Sequence, residues 1–300
     1  AASTAGAGAD PVASPLATQL LTAVVSLEQR CRPAWRRHLK LLGALAEGLP
    51  LWFDMEAVHT HLVPPLFVAM HEGVPGVRAK AAEAVVRLMR AARASTQRST
   101  LSQRLLTEFG HAKSYAPRLL FVTACETIME HFSSHMFKAM GYADALLSLC
   151  SDPVSNVRLA VLRALPELKR RLRLPGDVQL IESLAEHVTR LRSSDPMADV
   201  RELAEETHAA CASIKPLVGS AVLSPADAAK FAEEEQLSLA EAEAALSEAK
   251  RRASESIAEQ AAAKGGGKDG MGAKPPKRPG AGVAAPRVPG AGGGGGAALA

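Results

Sequence analysis

Chemistry would fall first to the histidines, cysteines and serines of this 300-residue chain, and their spacing argues against it. His59-Thr60-His61 would place its two rings about 200° apart around a helix, the wrong geometry for one metal ion. His131 and His135 share a helix face, but the string runs Glu130-His131-Phe132-Ser133-Ser134-His135. The His-Glu-x-x-His order is absent, so no general base lies between the two rings. Gly-x-Ser-x-Gly, the turn that exposes a serine nucleophile, does not occur. Nor does Gly-x-x-x-x-Gly-Lys-Ser/Thr, and the glycines at 292–296 follow no strand and open no helix, so they cannot cradle a phosphate. Cys31, Cys125, Cys150 and Cys211 form no Cys-x-x-Cys and stand among apolar residues. They read as reduced, buried thiols of an intracellular protein. The sequence therefore offers no catalytic, cofactor-binding or metal-ligating residues, and we expect no enzyme and no cofactor.

Charge narrows the partners. Lys plus Arg is 35 and Asp plus Glu is 31, a net of +4. From Lys264 to the end there are six cations against one anion, so the rest of the chain is close to neutral. Arg87, Arg90, Arg93 and Arg98 gather around one predicted helix end, where cations suit the helix dipole. Aromatics make up only 4% of the residues, too few for the stacking that binds single-stranded nucleic acid. No nucleic-acid partner is expected. Lys274-Pro275-Pro276-Lys277-Arg278-Pro279 reads as a solubilising basic linker. There is no signal peptide and no apolar run long enough to span a bilayer, so no membrane partner is expected either.

The elements come from a repeat. Arg37, Arg78, Arg118, Arg158 and Arg201 are spaced 41, 40, 40 and 43 residues apart. Val154, Val157, Val161, Leu165, Leu168 and Leu172 step by three and four, one apolar face of a helix. Phe121, Cys125, Ile128 and Phe132 do the same, as do Leu180, Leu184, Val188 and Leu191. Breaks fall at Gly48-Leu49-Pro50, Gly73-Val74-Pro75-Gly76 and Leu174-Pro175-Gly176, where helical hairpins need them. No stretch alternates long enough to predict a strand. The expectation is an all-α solenoid of HEAT or armadillo type, with about five helical pairs over 16–217. A lead at 1–15 and a tail at 264–300 are expected to be disordered, since Gly and Pro supply 18 of the last 36 residues. Between them, 224–263 is rich in Ala, Glu, Lys and Arg and is expected to be helical and mostly exposed. A break near Gln236–Ser238 is expected, because Ser238 and Glu241 have capping-box spacing.

Two sets of residues stand out on this frame. Asp152-Pro153 and Asp195-Pro196 look like helix starts, with Pro at the first helical position. Each Asp lies six residues before its repeat arginine, as Glu72 lies before Arg78, and Pro64 stands eight residues before Glu72. These offsets predict an inter-repeat ladder of partly exposed pairs from Glu72, Arg78, Arg118, Asp152, Arg158, Asp195 and Arg201. Asp152 should lie near Arg118 or Arg158, and Asp195 near Arg158 or Arg201. Ala112 takes the acid position of the third unit, so the ladder should be interrupted there. The turns themselves form a candidate partner-binding ridge, carrying His71, Glu72, His111, Lys113, Ser151, Asp152, Ser193 and Asp195. Their mixture of charged and small residues suits a polar interface rim.

The repeat region also carries a family resemblance. Trp35-Arg36-Arg37-His38, Leu62-Val63-Pro64-Pro65-Leu66-Phe67 and Phe109-Gly110-His111-Ala112-Lys113-Ser114 resemble the HEAT-repeat regulatory subunits of serine/threonine protein phosphatase 4. So do Arg118-Leu119-Leu120-Phe121 and the long string from Leu146 to Arg158, ending in Leu165-Pro166-Glu167-Leu168-Lys169. The resemblance covers roughly 30–205. It implies a cytoplasmic, non-catalytic subunit bound to the phosphatase 4 catalytic subunit, and it supplies no catalytic residues. Family members are longer; together with a first residue that is not Met, this implies a C-terminal fragment or a truncated gene model. A HEAT adaptor for another client, in transport or the cytoskeleton, and an enzyme with an unrecognised site remain as alternatives.

Overall fold

The structure is a computed structural model. It describes residues 15–52, 55–215, 217–219 and 224–265, with side chains described for 18–48, 55–215, 217–219 and 224–257. The expected disordered lead and all but the first residues of the tail, with the Lys274–Pro279 string, lie outside the described residues. The chain divides into two units, 1–247 and 248–300.

The described part of the first unit is an all-α solenoid of five helical pairs. The first pair is α1 (Pro15–Cys31) and α2 (Trp35–Trp52). In the second, α3 (Met55–His61) and α4 (Val63–Glu72) precede α5 (Pro75–Ala91). In the third, α6 (Ser95–Arg104) runs into a π-helical turn, Leu105–Gly110, before α7 (Tyr115–His131). The fourth comprises α8 (Ser134–Ala139), α9 (Tyr142–Ser148), a short 3₁₀ turn and α10 (Ser155–Arg170). The fifth is α11 (Val178–Ser194) and α12 (Ala198–Ser213). The second helices α2, α5, α7, α10 and α12 pack each on the next, which makes the array a stack. No pair can bury its apolar face alone, so stacking is what forms the core.

The predicted apolar faces are the buried ones. Val157, Val161, Leu165, Leu168 and Leu172 are buried, as are Phe121, Cys125, Ile128 and Phe132. Tyr142 sits wholly buried between Phe121 and Phe137, its ring 5.9 and 5.7 Å from theirs. The first helices are the broken ones. Pro64 and Pro65 open α4, where a missing N–H costs nothing. Gly141, at φ +82°, hinges α8 to α9 in a conformation that few other residues adopt. Pro166 stands inside α10 and has no N–H to give the Leu162 carbonyl. The buried Thr207 hydroxyl of α12 donates to that carbonyl instead, at 3.2 Å.

Four expectations need correction. Asp152 and Asp195 do not cap their helices directly. Each accepts a hydrogen bond from the backbone N–H two residues on, Val154 at 2.8 Å and Met197 at 2.9 Å, so Pro153 and Pro196 lie in the turn before the helix. A small sheet is present: Arg173–Leu174 pairs in parallel with Leu217–Val218, where the chain leaving α12 returns alongside the α10–α11 connection. It is two residues per strand and lies outside the buried core. The last helix, α13 (Pro225–Gly265), runs without a break through Gln236–Ser238, since Ser238 turns its hydroxyl back to the Glu235 carbonyl. Nor is α13 exposed along its whole length: Glu234 is buried and Phe231 and Leu237 are half-buried, while 242–257 are exposed.

In the second unit the described residues continue α13 to Gly265. Arg252 pairs with Glu248, and Arg251 with Glu255 at 3.2 Å, both one helical turn apart. Among the described residues, no helix is long and apolar enough to cross a membrane.

Candidate functional site

Consecutive helices of the stack alternate in direction, so connections within pairs fall on one edge and connections between pairs on the other. The first edge carries the turns at 32–34, 73–74, 111–114, 152–154 and 195–197. This is the ridge.

Behind it run the repeat arginines. Arg118 is bidentate to Asp152 of the next repeat, with Nη2 2.9 Å from Oδ1, and its Nη1 donates to the Ala112 and Lys113 carbonyls of its own turn. Arg158 repeats the arrangement, holding Asp195 at 2.7 and 2.8 Å and the Asp152 carbonyl at 2.7 Å. Each guanidinium thus ties its own turn to the following one. These pairs are buried, not partly exposed: Arg118, Asp152, Arg158 and Asp195 are all under 9% accessible. Each guanidinium is held between two successive turns, which carries the charge inside. Burial opposes ionisation of Asp195, yet Arg158 and the Met197 N–H hold its carboxyl below the ordinary range. The Asp152 hydrogen bonds raise the Arg118 guanidinium above its usual value.

The ladder does not extend to the other named residues. Arg201 bonds the Asp195 carbonyl of its own turn, at 2.6 Å, and no carboxylate among the described residues. Arg78 bonds the Gly73 carbonyl and, among the described residues, no carboxylate, because Ala112 supplies none. Among the described residues no ion pair joins Glu72 to Arg78; Glu72 is exposed on the turn, and its charge acts on Arg32. Arg37 is exposed as well, and its neighbour His38 is buried in its place, with Nε2 3.0 Å from the buried Glu28 carboxylate. Glu28 also takes Arg32 through two nitrogens. Where the ladder lapses, a different link joins the second and third turns. His71 lies 3.1 Å from Glu108 and stacks on Phe109, while Arg104 bonds Glu108 at 2.7 Å and covers the Phe67 ring. Burial works against the Glu108 charge, but Arg104 and His71 prevail and hold its carboxyl low.

The surface of the ridge is less polar than its named residues imply. His71, Glu72, His111, Lys113, Ser151 and Ser193 are not buried, while Asp152 and Asp195 are turned inward to the ladder. Beside them stand Trp35, Val74, Tyr115 and Met197, with 43–50% of each exposed, and half-buried Val154. Each stands at the start of the second helix of its pair, Val74, Val154 and Met197 as the residue before it and Trp35 and Tyr115 as its first residue, at steps of 39, 41, 39 and 43 residues. The result is an apolar stripe along the ridge with charged neighbours, the composition of a protein interface. Their repeat spacing is the one signal the sequence holds for them, and it is weak because one apolar residue in a turn is ordinary. Two clefts of about 310 Å³ open on this edge. One lies between the fourth and fifth turns, where Arg190 bonds the Cys150 carbonyl and the Ser151 hydroxyl. The other lies between the first and second, beside Arg32, His38 and Glu72.

The opposite edge was not foreseen. Arg98 donates to the carbonyls six and five residues back, Ala92 and Arg93, as Arg118 does, and then meets Glu241 of α13 at 3.3 Å. Arg90 pairs with Glu233 and Glu234. The sequence predicts dipole-complementing cations at these two arginines; both instead receive carboxylates from α13. His135 meets Phe231 of the same helix edge-on at 5.3 Å. The thiols of Cys125, Cys150 and Cys211 are buried and pushed up by desolvation, Cys150 to about 12, and Cys31 is half-exposed.

No family model matches the chain. Over 191 residues, 63% of the chain, it is 31% identical to the human serine/threonine-protein phosphatase 4 regulatory subunit 4. The mouse protein of the same name aligns at the same identity and coverage. The alignment spans 22% of each relative, so the chain corresponds to about a fifth of their length. Among solved structures, an engineered protein is 17% identical with a TM-score of 0.36, covering 64% of this chain and 80% of that one. A designed armadillo repeat protein in complex with the peptide (KR)4 is 16% identical with a TM-score of 0.37, covering 65% and 83%. The chain is thus similar in sequence, over 63% of its length, to a regulatory subunit of protein phosphatase 4.

Proposed function

We propose that this chain is a non-catalytic scaffold segment that binds the catalytic subunit of serine/threonine protein phosphatase 4 through the ridge. The observation that carries the proposal is the 31% identity to a phosphatase 4 regulatory subunit over 191 residues. The ridge supports it physically. Large exposed apolar groups surrounded by charge are what a protein partner desolvates, and Trp, Tyr and Met are favoured in such positions. Buried Arg–Asp pairs tie the third, fourth and fifth turns together, and the His71–Glu108 contact ties the second to the third, so Val74, Tyr115, Val154 and Met197 are held in register. A place in the cytoplasm goes with this reading.

The test is affinity purification from cell extract with the chain as bait. The wild type should capture the phosphatase 4 catalytic subunit. Glu72→Lys combined with Lys113→Glu reverses two exposed charges on adjacent turns and should reduce capture while helical content stays unchanged. Failure of the wild-type chain to capture that subunit would overturn the proposal for these five repeats.

A further inference from the structure

Asp227, Glu234 and Glu241 are seven residues apart on α13, so they rise in steps of about 10.5 Å along one helix face. Each meets the same constellation: a serine N–H, that serine's hydroxyl and an arginine. Asp227 takes the Ser134 N–H at 2.8 Å, its hydroxyl at 2.5 Å and Arg173 at 3.3 Å. Glu234 takes the Ser133 N–H at 2.9 Å, its hydroxyl, and Arg90 at 3.6 Å. Glu241 takes the Ser95 N–H at 2.9 Å, its hydroxyl at 2.6 Å and Arg98 at 3.3 Å. The Ser95 bonds, with Arg98, hold the Glu241 carboxyl below its ordinary range.

Lys230 adds a bond to the Glu130 carbonyl, Arg90 also pairs with Glu233, and His135 meets Phe231 edge-on. Leu239 and Leu246 are exposed, and among the large apolar residues of 224–247 only Phe231 and Leu237 are partly covered. The attachment is therefore mainly carboxylate recognition, which salt and competing carboxylates weaken. Adjacent Ser134 and Ser133 serve Asp227 and Glu234, and Ser95 serves Glu241, so an occupant must bring three carboxylates along one helix face.

We propose that this edge of the solenoid is a receptor for acidic helices bearing carboxylates at seven-residue intervals. In this chain α13 occupies it in cis, and an acidic helix of a partner protein binds by displacing α13. Tethering gives α13 a high effective concentration, so a partner succeeds only when its own concentration or contacts exceed that advantage. The inference stands apart from the ridge and from the phosphatase.

The probe is a fluorescein-labelled peptide of residues 224–247, titrated with the full chain. The variant Asp227→Asn/Glu234→Gln/Glu241→Gln empties the clamps and should bind the peptide at least tenfold more tightly than wild type. Adding Ser95→Ala and Arg98→Ala should reverse most of that gain, and a peptide with the same three acids as amides should not saturate. Equal binding of the acid and amide peptides, or no gain in the variant, would overturn the proposal. Should the variant lose its helical signal, the wild-type chain labelled with 15N decides. Excess acidic peptide should speed hydrogen exchange at residues 228–241 at least threefold where the amide peptide does not, and unchanged exchange would overturn the proposal.

Discussion

Arg158 and Asp195 show what a buried ion pair does in a stacked fold. Desolvating both charges is costly, and the pair returns that cost only while both partners are present. Arg158→Ala should therefore destabilise the chain by about 3–5 kcal/mol, read from urea unfolding, because Asp195 is left buried and unpaired. The same pair sets an acid limit. The native Asp195 carboxyl is held low, so its contribution is complete above the unfolded pKa of about 3.9 and is lost as pH falls toward the native value. Asp195→Asn should accordingly cost most at neutral pH, and its difference from wild type should shrink below about pH 4. At the same scale, thiol reagents should modify half-exposed Cys31 well before Cys150, whose pKa near 12 leaves almost no thiolate at neutral pH.

The elements were legible to different degrees, and for physical reasons. The apolar three-and-four spacing of α7, α10 and α11 is written locally, and those faces are the buried ones. The Arg118–Asp152 and Arg158–Asp195 approaches were legible because both acids keep one offset from their arginines. The docking of α13 was not, because it links residues 54 to 146 positions apart and Glu234 and Glu241 stand among many other glutamates. Thr207 was equally invisible until Pro166 was seen to leave the Leu162 carbonyl free. Thr207→Val keeps the shape and removes the donor, and should cost about 1–3 kcal/mol in thermal or urea unfolding. Gly110→Ala should cost a similar amount, about 1–3 kcal/mol, since the new Cβ would stand 3.3 Å from the fully buried Phe121 ring.

At the scale of the whole molecule, a solenoid multiplies one turn into a surface. Trp35, Val74, Tyr115 and Met197 are each unremarkable, yet stacking sets them in a row with the repeat. A partner that spans several turns would bury them together, and a few such residues carry most of the energy of an interface. The most direct measurement is the affinity of purified phosphatase 4 catalytic subunit for the chain and two variants. Tyr115→Ala/Met197→Ala removes two members of the stripe, and Leu239→Ala/Leu246→Ala removes equally exposed apolar groups of α13. The account predicts that the stripe variant binds at least tenfold more weakly, about 1.4 kcal/mol, with an unchanged melting profile, while the α13 variant binds as wild type does. Equal affinity of the stripe variant and the wild type, or no binding by the wild-type chain, would contradict it.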